Sequence, residues 1–154
     1  MNYRDIIDQW VKTFCKNPYF CPLTLEKASM LKTILLVGFG GFAGSVARYF
    51  VSKLNLSVEF YSIPVGTLTV NIIGSFIIGF LVGIAEKSML MPHELRLLLM
   101  VGFCGGFTTF SSFANENMML MHNGQLLTLM LYTGISIFFG FLAVYLGFVT
   151  SNVL

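Results

Sequence analysis

Charged residues are scarce in this chain, and that scarcity excludes most soluble architectures. Asp, Glu, Lys and Arg make up 10% of the 154 residues, whereas hydrophobic residues make up 56%. Such a balance is typical of a membrane protein. The formal net charge of +2 is too small to indicate a nucleic-acid partner. We therefore expect this protein to lie in a lipid bilayer and to have no nucleic-acid partner.

Chemically reactive side chains are also few. The three cysteines, Cys15, Cys21 and Cys104, are an odd number without metal-ligand spacing, which argues against a disulfide framework. His93 and His122 fall in separate predicted loops and have no partner at ligand spacing. No serine or cysteine is paired with a histidine by pattern, and no paired carboxylates lie within an apolar segment. The sequence therefore predicts a protein that is not an enzyme.

Four apolar segments are long enough to cross a bilayer as helices. They run roughly over Leu31–Val51, Tyr61–Ile84, Leu95–Met121 and Leu126–Val149. The short turn His122–Gln125 predicts that the third and fourth spans are antiparallel neighbours. We therefore expect an all-α membrane protein whose membrane domain covers residues 30–154.

The polar residues 1–29 form a separate extension. Ile6, Trp10 and Phe14 share one face of a predicted helix, as in a helix that lies on a membrane surface. A loosely packed or disordered extension is the alternative interpretation.

The third segment contains the stretch GFCGGFTTFSSFANE, Gly102–Glu116, which a lipid-facing helix would not favour. Each glycine in a helix interior costs about 1 kcal/mol relative to alanine. Broken backbone at membrane depth survives only inside protein or beside an aqueous path, and transporters place ions at such breaks. We predict two half-helices that meet near Gly105–Thr109, where Gly105 permits the turn. A packing seam of small residues, with Phe110 and Phe113 filling the core, is the alternative.

Two polar stripes run along other segments at four-residue spacing, Thr67–Asn71–Ser75 and Thr128–Tyr132–Ser136. A cation path would normally show Asp or Glu within the spans. An anion path needs donors, which hydroxyls and amides supply, and phenylalanine ring edges are also electropositive. These residues favour a path for a small hydrated anion, although Asn71 could instead bond to a neighbouring helix.

The first segment combines small residues with one arginine. Gly40 and Gly44, and likewise Gly41 and Ser45, lie four residues apart and predict a close helix–helix approach. Arg48 either extends to the membrane interface or holds an anion at a pore mouth. Seven Lys and Arg residues lie on the side of the termini and two on the other side, which favours cytoplasmic termini.

Three motifs carry a resemblance to a known family. They are GGFAGSVARY at Gly40–Tyr49, GTLTVNIIGSFIIG at Gly66–Gly79 and GFCGGFTTFSSF at Gly102–Phe113, one in each of the first three spans. In this order and spacing the chain resembles the Fluc/CrcB fluoride channel family over about residues 30–154. The resemblance implies a passive channel that exports fluoride across the bacterial plasma membrane and relieves fluoride toxicity. It also implies a dual-topology antiparallel homodimer with two pores.

The resemblance further implies roles for individual residues. Asn71 would reach into the pore beside Phe110 and Phe113. The other residues expected to line the fluoride path are hydroxyl-bearing: Thr67, Ser111, Ser112, Tyr132 and Ser136. Arg48 and Glu116 would stand at the vestibule. A structural Na⁺ ion at the dimer interface would be held by the backbone carbonyls of Gly105 and Thr108.

Two features depart from the family pattern, and two rival functions remain. Residues 1–29 lie outside the family core, and the positive-charge bias conflicts with insertion in both orientations. The first rival is a small four-span proton-coupled exporter of cationic compounds. It would need a titratable carboxylate in the membrane, whereas the first span has none and Glu116 is near an end. The second rival is a non-transporting packing subunit.

Overall fold

The computed structural model describes residues 30–54, 63–87 and 91–153, and the predicted extension lies outside them. All regular structure in these residues is helical. In chain order it comprises α1 (Met30–Leu54), α2 (Val65–Lys87), α3 (His93–Arg96), a π-helical segment (Leu97–Cys104), α4 (Gly105–Phe107), α5 (Phe110–His122) and α6 (Leu126–Val153).

Four stretches of the described chain are long and apolar enough to cross a membrane. They are Met30–Lys53, Val65–Glu86, His93–His122 and Leu126–Val153, which confirms the four predicted spans to within a few residues. Large apolar side chains cover the outside of these helices, and Phe39 and Phe141 are 70% and 76% exposed. Such a surface is suited to hydrocarbon, because lipid gives apolar side chains no reason to be buried.

The third span, His93–His122, is broken as predicted, but for a different reason. Thr108 (φ −77°, ψ 157°) and Thr109 (φ −148°, ψ 112°) have extended backbone between α4 and α5. The expectation that Gly105 permits the turn is wrong, because Gly105 has ordinary helical angles (φ −63°, ψ −37°). The eight-residue π-helical segment before α4 was not predicted, since its uniformly apolar sequence carries no periodic signal.

Glycines form a close seam between α1 and the third span. A Cβ atom added at Gly40 would lie 2.2 Å from the Leu98 carbonyl oxygen, and one at Gly44 would lie 2.2 Å from that of Phe103. On the opposite side, a Cβ atom at Gly106 would lie 2.4 Å from the carbonyl oxygen of Gly41. This seam confirms the predicted close approach of the first span to a neighbour.

A second glycine seam joins α2 to α6. A Cβ atom at Gly79 would lie 2.1 Å from the Val144 carbonyl oxygen, and one at Gly147 would lie 2.2 Å from that of Phe76. On the same two helices, Val70 of α2 and Tyr132 of α6 have no exposed surface and belong to the core. The first seam therefore joins α1 to the broken third span, and the second joins α2 to α6.

The connection from α5 to α6 is the short turn predicted from the sequence. Gly124 has a positive φ of 71°. Its amide donates to the Met121 carbonyl at 3.1 Å, and the Gln125 amide donates to the Leu120 carbonyl at 2.9 Å. This pair of bonds is the Schellman pattern that ends many helices. The turn makes α5 and α6 antiparallel neighbours.

Candidate functional site

A groove of about 500 Å³ lies beside the break in the third span. Its walls come from α2, the third span and α6. Its polar lining includes Asn71, Ser75, Thr108, Thr109 and Ser136, and the Phe110 and Phe113 rings also line it. The structure thus brings six of the predicted fluoride-path and sodium-site residues to one cavity: Asn71, Gly105, Thr108, Phe110, Phe113 and Ser136.

The Asn71 side chain bridges to the broken backbone. Its Nδ2 donates to the Thr109 carbonyl at 3.2 Å, and its Oδ1 accepts from the Thr109 amide at 2.9 Å. Backbone groups that have left a helix in an apolar environment need such partners. Asn71 therefore makes the bonds expected from the packing interpretation, while it also lines the groove and keeps a second Nδ2 hydrogen for another acceptor.

Hydroxyl groups cluster where α5 begins. Thr109 Oγ1 accepts from the Ser112 amide at 3.2 Å, donates to Ser112 Oγ at 3.1 Å and lies 3.2 Å from Ser111 Oγ. Thr109 is thus the N-cap of α5, a role that favours threonine. Ser111 and Ser112 flank the groove and do not line it. Their place in the fluoride path remains a prediction.

A row of aromatic rings extends from the chain surface to its core. The Phe110 and Phe113 ring centroids are 5.9 Å apart, and those of Phe113 and Tyr132 are 5.3 Å apart. Phe110 is 79% exposed, whereas Tyr132 is fully buried. The structure confirms that Phe110 and Phe113 share a face of α5. At the buried end of this row, the Phe113 ring contacts Tyr132 of α6.

Glu116 of α5 is hydrogen-bonded to two other helices, α2 and α6. Thr67 of α2 donates to Glu116 Oε1 at 2.5 Å, and Tyr132 of α6 donates to Oε2 at 2.6 Å. The carboxyl group is partly buried, and α5 continues beyond it to His122. Three predicted site residues therefore meet here, next to the Phe113 ring. The assignment of Glu116 to a vestibule is not tested by this contact and remains a prediction.

Ser136 presents a buried hydroxyl to the groove. Its Oγ is inaccessible to solvent and has no hydrogen-bond partner among the described residues. A buried hydroxyl without a partner is costly, and such groups are rare in folded proteins. Because Ser136 lines the groove, its unpartnered hydroxyl is a candidate donor to a ligand there.

The break also releases backbone carbonyls at the two residues predicted to hold sodium. The Thr109 amide donates to Asn71, although in a continuous helix it would donate to the Gly105 carbonyl. Likewise, the Ser112 amide donates to Thr109 Oγ1 and leaves the Thr108 carbonyl without its helical donor. Both residues line the groove, and a Cβ atom added at Gly105 would meet nothing within 4 Å.

Arg48 lies apart from these residues, and two other polar residues were missed. Arg48 is half-buried on α1 and does not line the groove, so its vestibule role remains a prediction. Thr133 donates to Asn117 Oδ1 at 2.7 Å, and Asn117 Nδ2 donates to the Phe113 carbonyl at 2.9 Å. The available signal was their position: each directly follows a predicted site residue, Glu116 or Tyr132.

Comparisons with known proteins agree with the motifs. A family model described as "CrcB-like protein, Camphor Resistance (CrcB)" matches residues 35–148. A relative from Azobacteroides pseudotrichonymphae named "Fluoride-specific ion channel FluC" is 46% identical over 123 residues, 80% of this chain and 98% of the relative. Proteins of the same name from Chlorobium chlorochromatii and Gloeothece citriformis are 48% and 50% identical, over 77% and 74% of this chain and 92% of each relative.

Proposed function

This chain belongs to the family of CrcB-like proteins, and from that membership and its groove we propose that it is a fluoride-specific ion channel. It is a multi-pass membrane protein with four membrane-spanning segments in its described part. The observation that carries the proposal is the groove, where an amide, hydroxyls and two phenylalanine rings come together. The names of the relatives identify the ion as fluoride, and the side chains that line the groove are chemically suited to that ion.

Neutral donors suit the passage of a strongly hydrated anion. Fluoride must lose water to enter a narrow path, and Asn71 and Ser136 can replace part of that water by hydrogen bonds. The positive edges of the Phe110 and Phe113 rings add a weak attraction. Among the residues that the structure describes, no Lys or Arg lines the groove, so these residues place no fixed positive charge there that would trap the ion.

In the cell, the channel would let fluoride leave passively across the plasma membrane and so relieve fluoride toxicity. A channel needs no coupled chemistry, because the ion follows its own gradient. The proposal therefore assigns this protein transport and no catalysis.

The exposed wall of the groove supports a second copy of the chain as its cover. Phe110 is 79% exposed, and Gly105 is exposed beside it. An ion path bounded by lipid on one side would leave the ion without donors there. An antiparallel homodimer of dual topology, as the family resemblance implies, would enclose one groove on each copy and give two pores.

The same arrangement supports a structural sodium ion between the copies. The released carbonyls of Gly105 and Thr108 fit a hard monovalent cation, which prefers uncharged oxygen ligands of this kind. Two copies related by a two-fold axis would offer four such oxygens. The exposure of Gly105, with open space around it, leaves room for the partner to approach.

Fluoride flux from liposomes tests the proposed function. Purified protein should release fluoride rapidly down its gradient, with no proton gradient and with little release of chloride. Release of neither ion by correctly assembled protein would support the packing subunit and overturn the channel proposal.

One observation keeps the proton-coupled exporter as a second candidate. Glu116 was expected near the end of a span, but it is partly buried between α2 and α6, as a titratable carboxylate of such a carrier would be. An exporter of cationic compounds would move an organic cation only when a proton gradient is imposed. Fluoride release without that gradient would exclude this mechanism as the main activity.

A further inference from the structure

Two adjacent hydrogen bonds join α5 to α6. Tyr132 Oη donates to Glu116 Oε2 at 2.6 Å, and the next residue, Thr133, donates through Oγ1 to Asn117 Oδ1 at 2.7 Å. Neighbouring residues of one helix thus bind neighbouring residues of the other. A slip of one residue, or a rotation of α5 about its axis, would break both bonds together.

The second of these bonds continues to a residue of the groove. Asn117 Nδ2 donates to the carbonyl of Phe113, one turn earlier on α5, at 2.9 Å. The Phe113 ring in turn lies 5.3 Å from the Tyr132 ring and lines the groove. Thr133 is therefore connected through Asn117 to the backbone that carries Phe113.

α5 needs such a connection because its N-terminal end is not anchored by a continuous helix. The chain is extended at Thr108 and Thr109, so the first half of the third span does not fix the rotation of α5. In apolar surroundings, hydrogen bonds between helices contribute modestly but specifically to orientation.

We propose that Asn117 and Thr133 are positioning residues for the ion path: they hold α5 so that the Phe113 ring stays against Tyr132 at the groove wall. The inference rests on the proposed function, since it assigns these residues to fluoride passage.

A second threonine on α6, Thr150, shows the bond that a threonine hydroxyl makes when it does not reach another helix. Thr150 donates to the Leu146 carbonyl of its own helix at 2.7 Å, which is the usual choice of a threonine within a helix. Thr133 reaches across to α5 instead. Thr150 is thus a matched control, with the same residue type on the same helix and a bond that positions nothing on α5.

The test compares Thr133→Val with Thr150→Val in the full chain, reconstituted in liposomes and normalised to assembled protein. Thr133→Val should lower fluoride flux by about fivefold, the factor that corresponds to one hydrogen bond of typical net strength. The ratio of fluoride to chloride release should fall as well, because a displaced ring changes the path itself. Thr150→Val should match the wild type, and Thr133→Ser, which keeps the hydroxyl, should restore flux and selectivity.

A second variant provides an independent test in case Thr133→Val assembles too poorly to be assayed. Asn117→Leu removes both the acceptor for Thr133 and the donor to the Phe113 carbonyl without adding a charge, so it should also lower flux per assembled protein. Wild-type flux and selectivity in assembled Thr133→Val or Asn117→Leu would overturn the inference while the wild type still conducts fluoride. A wild-type protein that passes no fluoride would instead overturn the proposed function.

Discussion

Asn71 combines a structural bond with a place on the groove wall. Its amide bonds to both backbone groups of Thr109, and the residue also lines the groove. An asparagine in an apolar span has many possible partners, so the sequence predicted a polar site here but could not identify Thr109, 38 residues away, as the partner. The two interpretations of Asn71 are compatible, because an amide has two donor hydrogens.

Asn71→Asp should block fluoride flux. The substitution keeps the acceptor for the Thr109 amide, removes the donor to its carbonyl and places negative charge beside the path. Two like charges 4 Å apart repel by about 4 kcal/mol at an effective dielectric constant of 20, which corresponds to a roughly thousandfold loss of flux. Flux per assembled protein should be measured in liposomes. Asn115→Asp is the matched control, because its amide is exposed and, among the described residues, is hydrogen-bonded only to the Met119 sulfur.

If Asn71 serves packing alone, Asn71→Asp will reduce the yield of assembled protein and leave flux per assembled protein near the wild-type value. That result would remove Asn71 from the ion path.

The two phenylalanines beside the break present a similar choice between packing and passage. If their ring edges contact the anion, Phe110→Ile and Phe113→Ile should each lower fluoride flux by about tenfold, as the loss of a ring contact of about 1.5 kcal/mol implies. Phe110 is 79% exposed in the single chain, so its replacement should disturb the fold of the chain little. Liposome flux, normalised to folded protein, measures the effect.

The comparable control is Phe141→Ile on α6, since Phe141 is also largely exposed at 76% and lies outside the groove. Unchanged flux in a well-folded Phe110→Ile, Phe113→Ile double variant would show that neither ring takes part in passage.

At the scale of elements, glycine spacing was enough to predict the α1 seam. It was not enough to predict which residues form the break in the third span. Gly40 and Gly44 recur at one helical turn, and this pattern alone indicates a face for close approach. The break was placed correctly near Gly105–Thr109, but its extended residues are the threonines, and the Thr109 amide and carbonyl both bond to the Asn71 side chain. That partner lies on another span, and a local sequence pattern does not identify it.

The α1 seam predicts a sharp difference between two glycines of one helix. A Cβ atom at Gly44 would lie 2.2 Å from the Phe103 carbonyl oxygen and 2.8 Å from the Phe107 nitrogen, whereas one at Gly38 would meet nothing within 4 Å. Because the opposing atoms at Gly44 are backbone, Gly44→Ala should destabilise the protein by about 1–3 kcal/mol, the usual cost of overpacking. Gly38→Ala should be neutral or slightly stabilising, since alanine favours helix.

Thermal unfolding in detergent, followed by loss of assembled protein, measures both variants. Equal midpoints for Gly44→Ala and Gly38→Ala would contradict the seam between α1 and the third span.

At the scale of the whole molecule, the proposed dimer must reconcile two facts. The groove has an exposed wall that a second copy would cover, yet seven Lys and Arg residues lie on the predicted side of the termini and two on the other. A strong bias of this kind favours one orientation in the membrane, whereas an antiparallel dimer needs both. Four of the seven, Arg4, Lys12, Lys16 and Lys27, belong to residues 1–29, outside the family core. Within the membrane domain the remaining bias is weaker, and insertion in both orientations is compatible with it.

The proposed sodium site depends on that dimer, because the released carbonyls of one chain supply only half of the expected ligands. Prolonged exchange of sodium for a large organic cation should lower fluoride flux severalfold, and the return of sodium should restore it. The loss should be slow, since an ion buried between two chains exchanges only when they separate locally. Flux that stays constant after exhaustive exchange would remove the sodium site and leave the anion path unaffected.

Gly105→Val and Thr108→Val test whether the backbone carbonyls of these residues, and not their side chains, bind the proposed sodium ion. Thr108→Val keeps the backbone carbonyl and loses only the hydroxyl bond to the Cys104 carbonyl, so sodium dependence should persist. A Cβ atom added at Gly105 would meet nothing within 4 Å in this chain, and Gly105 is helical, so Gly105→Val should leave the fold of one chain nearly intact. Any large loss of assembled dimer and of sodium-dependent flux in Gly105→Val must then come from contact with the second copy. Wild-type assembly and flux in that variant would mean that no partner approaches this face of the third span.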